Sequence, residues 1–375
     1  MDLKNFNFSN KIKFHENHLV DLKKKNRPFP VTVEIDITNH CNHRCSFCCW
    51  GEDIATDKSS LNIEVLKKTI KDLKKKGTKA IVFTGGGEPM IHKGFYEILE
   101  FTKNNELEVG LITNGSAIVE NKLEILVKNL KWLRVSMSGG DSKSYNLVQG
   151  KDHFEKVIGN INLLSNYKLS NELNNQFKIG IRMLVNEDNY LTLENLAKIV
   201  SKIRGLNYLQ VAPNQFSNDQ GKFWNSEEIK KLFLKIKNKL QKDKIAFLGA
   251  SFDVLQIDDQ NKKKMIDVPK KCYAHFYQFA IMADGNVVFC KNSRFNKNFI
   301  IGNIYEKSIH EIWNSEKNLE LESWIRPNNC GLICKNITVN LKVEEILNSS
   351  KSFDKNFEDK KILNPSDDFD VNFVG

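Results

Sequence analysis

Ile37-Thr38-Asn39-His40-Cys41-Asn42-His43-Arg44-Cys45-Ser46-Phe47-Cys48 follows a short apolar, strand-like run, and its reading decides how the rest of the chain is understood. The spacing C-x3-C-x2-C puts three thiols into one short loop. A cubane [4Fe–4S] cluster takes four ligands, so Cys41, Cys45 and Cys48 would leave one iron open. An open iron can bind a small molecule and pass it an electron, which makes the loop a candidate reaction centre. Zinc is the alternative, because His40 and His43 could complete a Cys/His set, although zinc ligands usually come as two spaced pairs. A disulfide framework suits small secreted chains. This chain has 375 residues, and no signal peptide is read in it.

Outward from the loop, residues 61–76 place Ile63, Leu66, Ile70 and Leu73 at helical spacing beneath a lysine-rich face. Gly77 is positioned to stop that helix. Ala80-Ile81-Val82-Phe83-Thr84 reads as a buried strand and runs into Gly85-Gly86-Gly87-Glu88-Pro89. Glycines at a strand's carboxyl end let a ligand approach the backbone closely, although such a triplet alone would equally suit an ordinary turn.

The cysteine loop after one strand and Gly-Gly-Gly-Glu-Pro after the next resemble the radical S-adenosylmethionine (radical SAM) superfamily. The resemblance implies that the three cysteines hold the cluster and that SAM chelates the fourth iron through its amino and carboxylate groups. It places Gly85, Gly86, Gly87 and Glu88 against the SAM methionine, and Phe47 matches the aromatic residue usual before the third cysteine. Glu108-Val109-Gly110-Leu111-Ile112-Thr113-Asn114-Gly115 is a third strand, whose Thr113 and Asn114 the resemblance brings towards the SAM ribose. Leu133-Arg134-Val135-Ser136-Met137-Ser138 is a fourth, with Ser136 and Ser138 as SAM contacts. Many relatives have Ser-x-Asp there, so Ser138 is a departure. Residues 178–185 form a fifth strand, carrying Arg182. That arginine could pair with the SAM carboxylate or be an ordinary solvated side chain. Residues 207–213 form a sixth.

Strands alternating with helical stretches indicate an α/β fold of parallel βαβ units. Here the resemblance implies a partial (β/α)6 TIM-like barrel. Sites in such barrels lie at the carboxyl ends of the strands, where all these motifs fall.

Cys272, Cys290, Cys330 and Cys334 form a second group. Asp284-Gly285 between apolar runs is a hairpin signal, and a hairpin would bring Cys272 towards Cys290. With Gly302-Asn303-Ile304, Ser308-Ile309-His310-Glu311-Ile312-Trp313 and Cys330-Gly331-Leu332-Ile333-Cys334, the segment resembles SPASM, the cysteine-rich extension of radical SAM enzymes, or its shortened twitch form. That implies a small C-terminal α+β domain. Full SPASM domains usually carry seven cysteines and two clusters. Four cysteines suit one fully ligated auxiliary [4Fe–4S] cluster, able to relay electrons, although four thiolates also suit zinc. Cys49 is left over, either a small buried residue or a hydrogen-atom donor to a substrate radical.

The expected organisation is an N-terminal helix and linker over residues 1–30, the barrel over 31–235, a linker over 236–271, the cluster domain over 272–340 and a tail over 341–375. Within the tail, residues 343–347 suggest a short helix, and the end could fold back or stay disordered. No stretch is long and apolar enough to span a membrane, and a cytoplasmic location is expected. The net charge of +10 comes with lysine runs on helix faces and loops, which read as solvated surface. A zinc-containing nucleic-acid-binding module is the rival from another class, but no aromatic-basic platform supports it.

The resemblance implies that SAM is cleaved reductively to a 5′-deoxyadenosyl radical that removes a substrate hydrogen. A reducing partner such as flavodoxin or ferredoxin would supply the electron. The expected substrate is a small polar metabolite, a sugar or aminocyclitol undergoing dehydrogenation. Peptide modification by a maturase and redox-neutral epimerisation are the alternatives.

Overall fold

The computed structural model describes residues 11–51, 56–213, 226–249, 271–326, 334, 336–349 and 372–373. Among these, ten strands form one sheet in the order β10-β9-β8-β1-β2-β3-β4-β5-β6-β7. Strands β1 (Thr32–Asp36), β2 (Ala80–Thr84), β3 (Glu108–Thr113), β4 (Trp132–Ser136), β5 (Lys178–Val185) and β6 (Tyr208–Pro213) are the six expected from the sequence. Each pairs in parallel with the next. The intervening helices are α2 (Ile63–Lys75), α3 (Phe95–Asn104), α4 (Leu123–Asn129), α5 (Ser142–Gln149), α6 (Phe154–Ser170) and α7 (Leu193–Val200), after α1 (Glu16–Lys23). Parallel strands need such crossovers, so the alternation in the sequence carries the topology.

Helix α8 (Glu227–Lys242) leads to a seventh parallel strand, β7 (Ala246–Gly249), paired with β6. The stretch expected as a linker over 236–271 therefore begins as the end of a helix and a sheet strand. The sequence hides β7 because Ala-Phe-Leu-Gly is too short to show a period. Residues 214–225 and 250–270 lie outside the described residues.

β8 (Gln278–Ile281) and β9 (Asn286–Val288) form the hairpin expected at Asp284-Gly285, and Gly285 adopts a positive φ of 87°. β10 (Ile300–Asn303) adds on antiparallel. β8 also pairs in parallel with β1, Thr32 opposite Gln278 and Glu34 opposite Ala280. The cluster domain thus continues the barrel sheet. Helices α9 (Ile309–Trp313) and α10 (Glu316–Trp324) follow, with Ser308 and Glu311 forming a capping box.

The two sheet faces differ in chemistry. Val33, Ile35, Phe83, Leu111, Val135, Ile181 and Val211 are buried in the continuous apolar core that also takes in the inward sides of the helices. The other face carries Glu34, Asp36, Arg134, Arg182 and Gln210, the alternate residues of the same strands. It is the interior of the partial barrel.

The C-terminal region is partly folded back. Helix α11 (Ile337–Asn348) is longer than the short helix expected, crosses the expected boundary at 341 and packs against α1. Phe373 packs with Ala80, Val82, Ile112 and Trp132, its ring 5.3 Å from that of Trp132. Thr32 Oγ1 donates to the Asn372 carbonyl and buried Lys11 donates to the Phe373 carbonyl. The chain end therefore closes the barrel interior at the amino ends of β1, β2 and β4.

Candidate active site

The cysteine loop hangs from the carboxyl end of β1 and is held from two sides. Gly87 N donates to the Thr38 carbonyl at 2.9 Å and Glu88 N to the His40 carbonyl at 2.8 Å, which stitches the glycine turn to the loop. On the other side Arg44 N and Ser46 N donate to the carbonyls of Gln149 and Val148, at the end of α5. The contacts leave no room for side chains. A Cβ on Gly87 would strike the His40 carbonyl oxygen, one on Gly86 the Asn39 amide, and one on Gly150 the Arg44 carbonyl. Gly150 also needs its positive φ of 63°.

Cys41, Cys45 and Cys48 are half-buried, and burial, with Cys48 nearby, raises the pKa of Cys41. Burial first, then Cys48 and Cys41, pushes Cys45 up to about 12. Without a metal Cys41 and Cys45 stay neutral, whereas metal-bound thiols are deprotonated outright, so the set suits a cationic inorganic centre. Among the described residues no group of three His, Cys, Asp or Glu side chains converges to hold one ion. A cubane spreads its thiolates over separate irons, and the loop fits that demand better than a single zinc. His43 does not complete a zinc set either. Its Nδ1 accepts from Gln149 and its Nε2 lies 3.1 Å from His153 Nδ1, while burial holds its pKa down near 4.

The remaining sequence-derived site residues gather around this loop. The Glu88 carboxylate is buried and accepts three hydrogen bonds, from Thr113 Oγ1 at 2.6 Å, Asn114 N at 2.6 Å and Met90 N at 3.1 Å. Burial still pushes its carboxyl pKa up. Its acceptor capacity is largely used by the protein, so it acts by fixing the β2 and β3 ends together. Thr113 Oγ1 also accepts from Gly115 N. Asn114 Nδ2 donates to Asn42 in the cysteine loop, and Asn42 donates to Ser116. The Thr-Asn-Gly strand end is thereby bonded to the loop between Cys41 and Cys45. Ser136 is half-buried at the end of β4. Ser138 is buried and engaged, its Oγ accepting from Leu184 N and its N–H donating to Gln149. Phe47 is half-buried, and Cys49 is exposed beside the loop. Arg182 sits on the interior face at the level of Ser136, its register partner.

In the second group, Cys272, Cys290 and Cys334 are half-buried, and Cys290 and Cys334 both lie within electrostatic reach of Cys272. Burial, then Cys290, pushes Cys272 upward. Cys330 falls outside the described residues. Asn336 Nδ2 lies 3.9 Å from Cys290 Sγ and Asn340 Nδ2 3.7 Å from Cys334 Sγ, amide donors of the kind that tune thiolate ligands. Asn340 Oδ1 accepts from Tyr273 N and Ala274 N, next to Cys272.

Several functional neighbours escaped the sequence reading. Gln149 joins Ser136, Ser138 and His43. Asn189 holds the Ser138 and Leu184 carbonyls. Glu34 and Asp36 line the interior, where Arg294 from the cluster domain bridges both and Lys291 pairs with Glu34 at 2.9 Å. Lys291 and Arg294 outweigh burial and hold Glu34 well below the usual carboxylate range. Burial, with Glu34 beside it, pushes Asp36 up to about 6. The period-2 placing of acids in Thr32-Val33-Glu34-Ile35-Asp36 was the available signal for a polar interior.

Residues 35–200 match the Radical SAM superfamily, and residues 272–336 match SPASM, described as an iron-sulfur cluster-binding domain. A probable GTP 3',8-cyclase of Pyrococcus abyssi is 28% identical over 192 residues, 51% of this chain and 60% of that relative. The antilisterial bacteriocin subtilosin biosynthesis protein AlbA of Bacillus subtilis is 24% identical over 303 residues, 77% of this chain and likewise 60% of the relative. The chain therefore spans less than two thirds of either curated relative's length. Streptococcus suis SuiB, solved bound to its precursor peptide SuiA, has the same fold, with a TM-score of 0.63 at 17% identity. That likeness covers 88% of this chain and 74% of SuiB.

Proposed function

From a chain that belongs to the radical SAM superfamily and carries a cluster-binding SPASM domain, we propose a peptide-modifying enzyme. Its cofactors are SAM, the SAM-binding [4Fe–4S] cluster and an auxiliary cluster. The carrying observation is how far each likeness extends. The cyclase match covers 51% of the chain, whereas the match to a bacteriocin-biosynthesis protein covers 77%. The fold likeness to a peptide-bound enzyme supports the same direction. A peptide thus replaces the sugar or aminocyclitol as the favoured substrate.

When bound, the cluster and SAM supply a carbon radical able to remove a hydrogen atom from an unactivated C–H bond. In this reading the residues divide the remaining work. Cys41, Cys45 and Cys48 hold the cluster, and the bare backbone of Gly85, Gly86 and Gly87 receives the methionine end of SAM. Glu88, Thr113 and Asn114 keep that strand end in register with the loop. Cys272, Cys290, Cys330 and Cys334 hold the second cluster, which Lys291 and Arg294 couple mechanically to β1. A one-electron carrier such as flavodoxin or ferredoxin is the proposed reductant. Among the described residues no helix is long and apolar enough to cross a membrane.

The test is anaerobic incubation of the reconstituted protein with SAM, reductant and candidate precursor peptides. The expected result is 5′-deoxyadenosine formed in step with a peptide that loses two hydrogens. Turnover driven by sugars or aminocyclitols and by no peptide would return the small-molecule reading. Cys49 has a donor role only in a redox-neutral outcome. Solvent deuterium should then enter the product and vanish from it with Cys49→Ala, and its absence removes that role.

A further inference from the structure

We propose that Arg134 and Arg182, side by side on the barrel interior, form a binding site for the carboxylate of an acidic side chain in the substrate. The peptide origin of that carboxylate rests on the function proposed above.

The strand register builds the site. Arg134 on β4 stands opposite Gly180 on β5, and Arg182 stands opposite Ser136 on β4 and Gln210 on β6. Arg134 starts two residues, about 6.6 Å, below the level of Ser136. Its Nη1 donates to Gln210 Oε1 at 3.0 Å, so its guanidinium is carried across β5 towards the level of Arg182. Burial lowers the pKa of both, and burial followed by the Arg134 charge brings Arg182 down to about 9.

Two glycines make the floor. A Cβ on Gly180 would overlap the Tyr208 ring, and one on Gly110 the Trp132 ring. Both aromatic rings therefore lie flat over bare backbone beneath the arginines. Arg134 Cζ is 5.9 Å from the Trp132 ring centroid, and Phe373 closes the far side of Trp132. Such a floor excludes water and strengthens any charge pairing above it.

The charges do not balance without a ligand. Across the interior, Glu34 and Asp36 are the neighbouring acids, and Lys291 and Arg294 pair with them. Arg134 and Arg182 form no ion pair among the described residues, and Glu34, the acid within electrostatic reach of both, is already paired with Lys291 and Arg294. The Nε atoms of both are sealed from solvent and make no hydrogen bond. Two half-buried cations whose sealed Nε donors go unused are costly, and a guanidinium fork matches a carboxylate in bidentate geometry. The pair stands on the interior face of the sheet, with Arg182 at the level of Ser136, and that face is where we place the reacting part of a substrate. We assign Arg182 to this pair and not to the SAM carboxylate.

The test uses anaerobically reconstituted wild-type, Arg134→Gln, Arg182→Gln and Arg182→Lys proteins in equilibrium dialysis. The probes are acetyl-glutamate methylamide, its glutamine counterpart, glutarate and SAM. Wild type should hold the glutamate probe about tenfold tighter than the glutamine probe, as a charge-assisted pair requires. Either Gln variant should abolish that preference, Arg182→Lys should keep part of it, and SAM affinity should stay unchanged. Removing one of two half-buried like charges should leave the ligand-free melting temperature equal or higher. Equal binding of the two capped probes, no binding of either, or a preference that survives both Gln variants overturns the site. Loss of SAM affinity with the preference intact assigns Arg182 to SAM and also overturns it. Arg-dependent binding of glutarate without the capped glutamate supports the carboxylate site but overturns its peptide source. Peptide modification by a protein with no glutamate preference overturns the site and leaves the proposed function standing.

Discussion

Glu88→Gln changes one oxygen to an amide nitrogen at the junction of β2, β3 and the cysteine loop. The carboxylate accepts from Thr113 Oγ1 and Met90 N on one oxygen and from Asn114 N on the other. A glutamine has only one acceptor oxygen. If that oxygen faces Thr113 and Met90, its NH2 meets the Asn114 N–H. If it is flipped, the NH2 meets the Met90 N–H. Either way one charge-assisted hydrogen bond is lost and a buried donor is stranded, together about 3–5 kcal/mol. Domain stabilities are of the order of 5–15 kcal/mol, so the protein should fold with a lowered midpoint. The damage should also be directional, because Asn114 bonds Asn42 between Cys41 and Cys45. We expect weaker SAM binding and lower iron retention at the first cluster, with the second cluster intact. Urea unfolding, iron analysis and SAM equilibrium binding on anaerobic protein measure these. Thr113→Val removes one donor, and a double-mutant cycle with Glu88→Gln should show coupling of about 1 kcal/mol or more. A Glu88→Gln protein with wild-type midpoint, iron content and SAM affinity would refute the claim that this carboxylate holds the strand ends together.

Other expectations follow from the same contacts. Arg294→Ala leaves Glu34 and Asp36 with Lys291 alone, and removing one partner of a buried ion pair costs about 3–5 kcal/mol, measurable as a urea-midpoint shift. Burial holds His18 near pH 4 with its Nε2 on the Phe276 carbonyl. Because the folded pKa lies below the unfolded value of about 6.5, stability is full above that pH and is lost as the pH falls towards 4. About 2 kcal/mol should disappear between pH 7.5 and 5, and His18→Gln should flatten that difference. Cys272→Ala should remove about half of the bound iron, since each cubane holds four. 5′-Deoxyadenosine should still form in that variant while the modified peptide is lost, and unchanged iron would refute the ligand assignment.

Much of the barrel was legible because its signals are local. Ala80-Ile81-Val82-Phe83-Thr84 and Glu108-Val109-Gly110-Leu111-Ile112-Thr113 are compact β-rich runs that end in motif residues, and the structure returns both strands. The hairpin at Asp284-Gly285 was readable for the same reason, a turn dipeptide between apolar runs. The partners of each site residue were less accessible. Glu88 read as part of a cofactor motif, and its carboxylate proved to be held by residues 25 and 26 positions away. The Ser138 backbone is held by Gln149 and Asn189, neither of which stands in a recognisable motif. Long-range partners leave no period in the sequence.

By itself the sequence determined the cluster loop, the glycine turn, the order of the βα units and the second cysteine group. Those depend on residue type and on spacing within a dozen or so positions. Tertiary structure decided which face each strand residue occupies and what it meets there. It ran β8 alongside β1, which set Arg294 against Glu34 and Asp36 across more than 250 positions of chain. It also turned Phe373 onto Trp132 and set Arg134 beside Arg182 with the Nε atom of each sealed and unbonded. The physical reason is that sheet register and chain closure are fixed by burying the whole apolar face at once, a sum over every helix and strand that no local window contains.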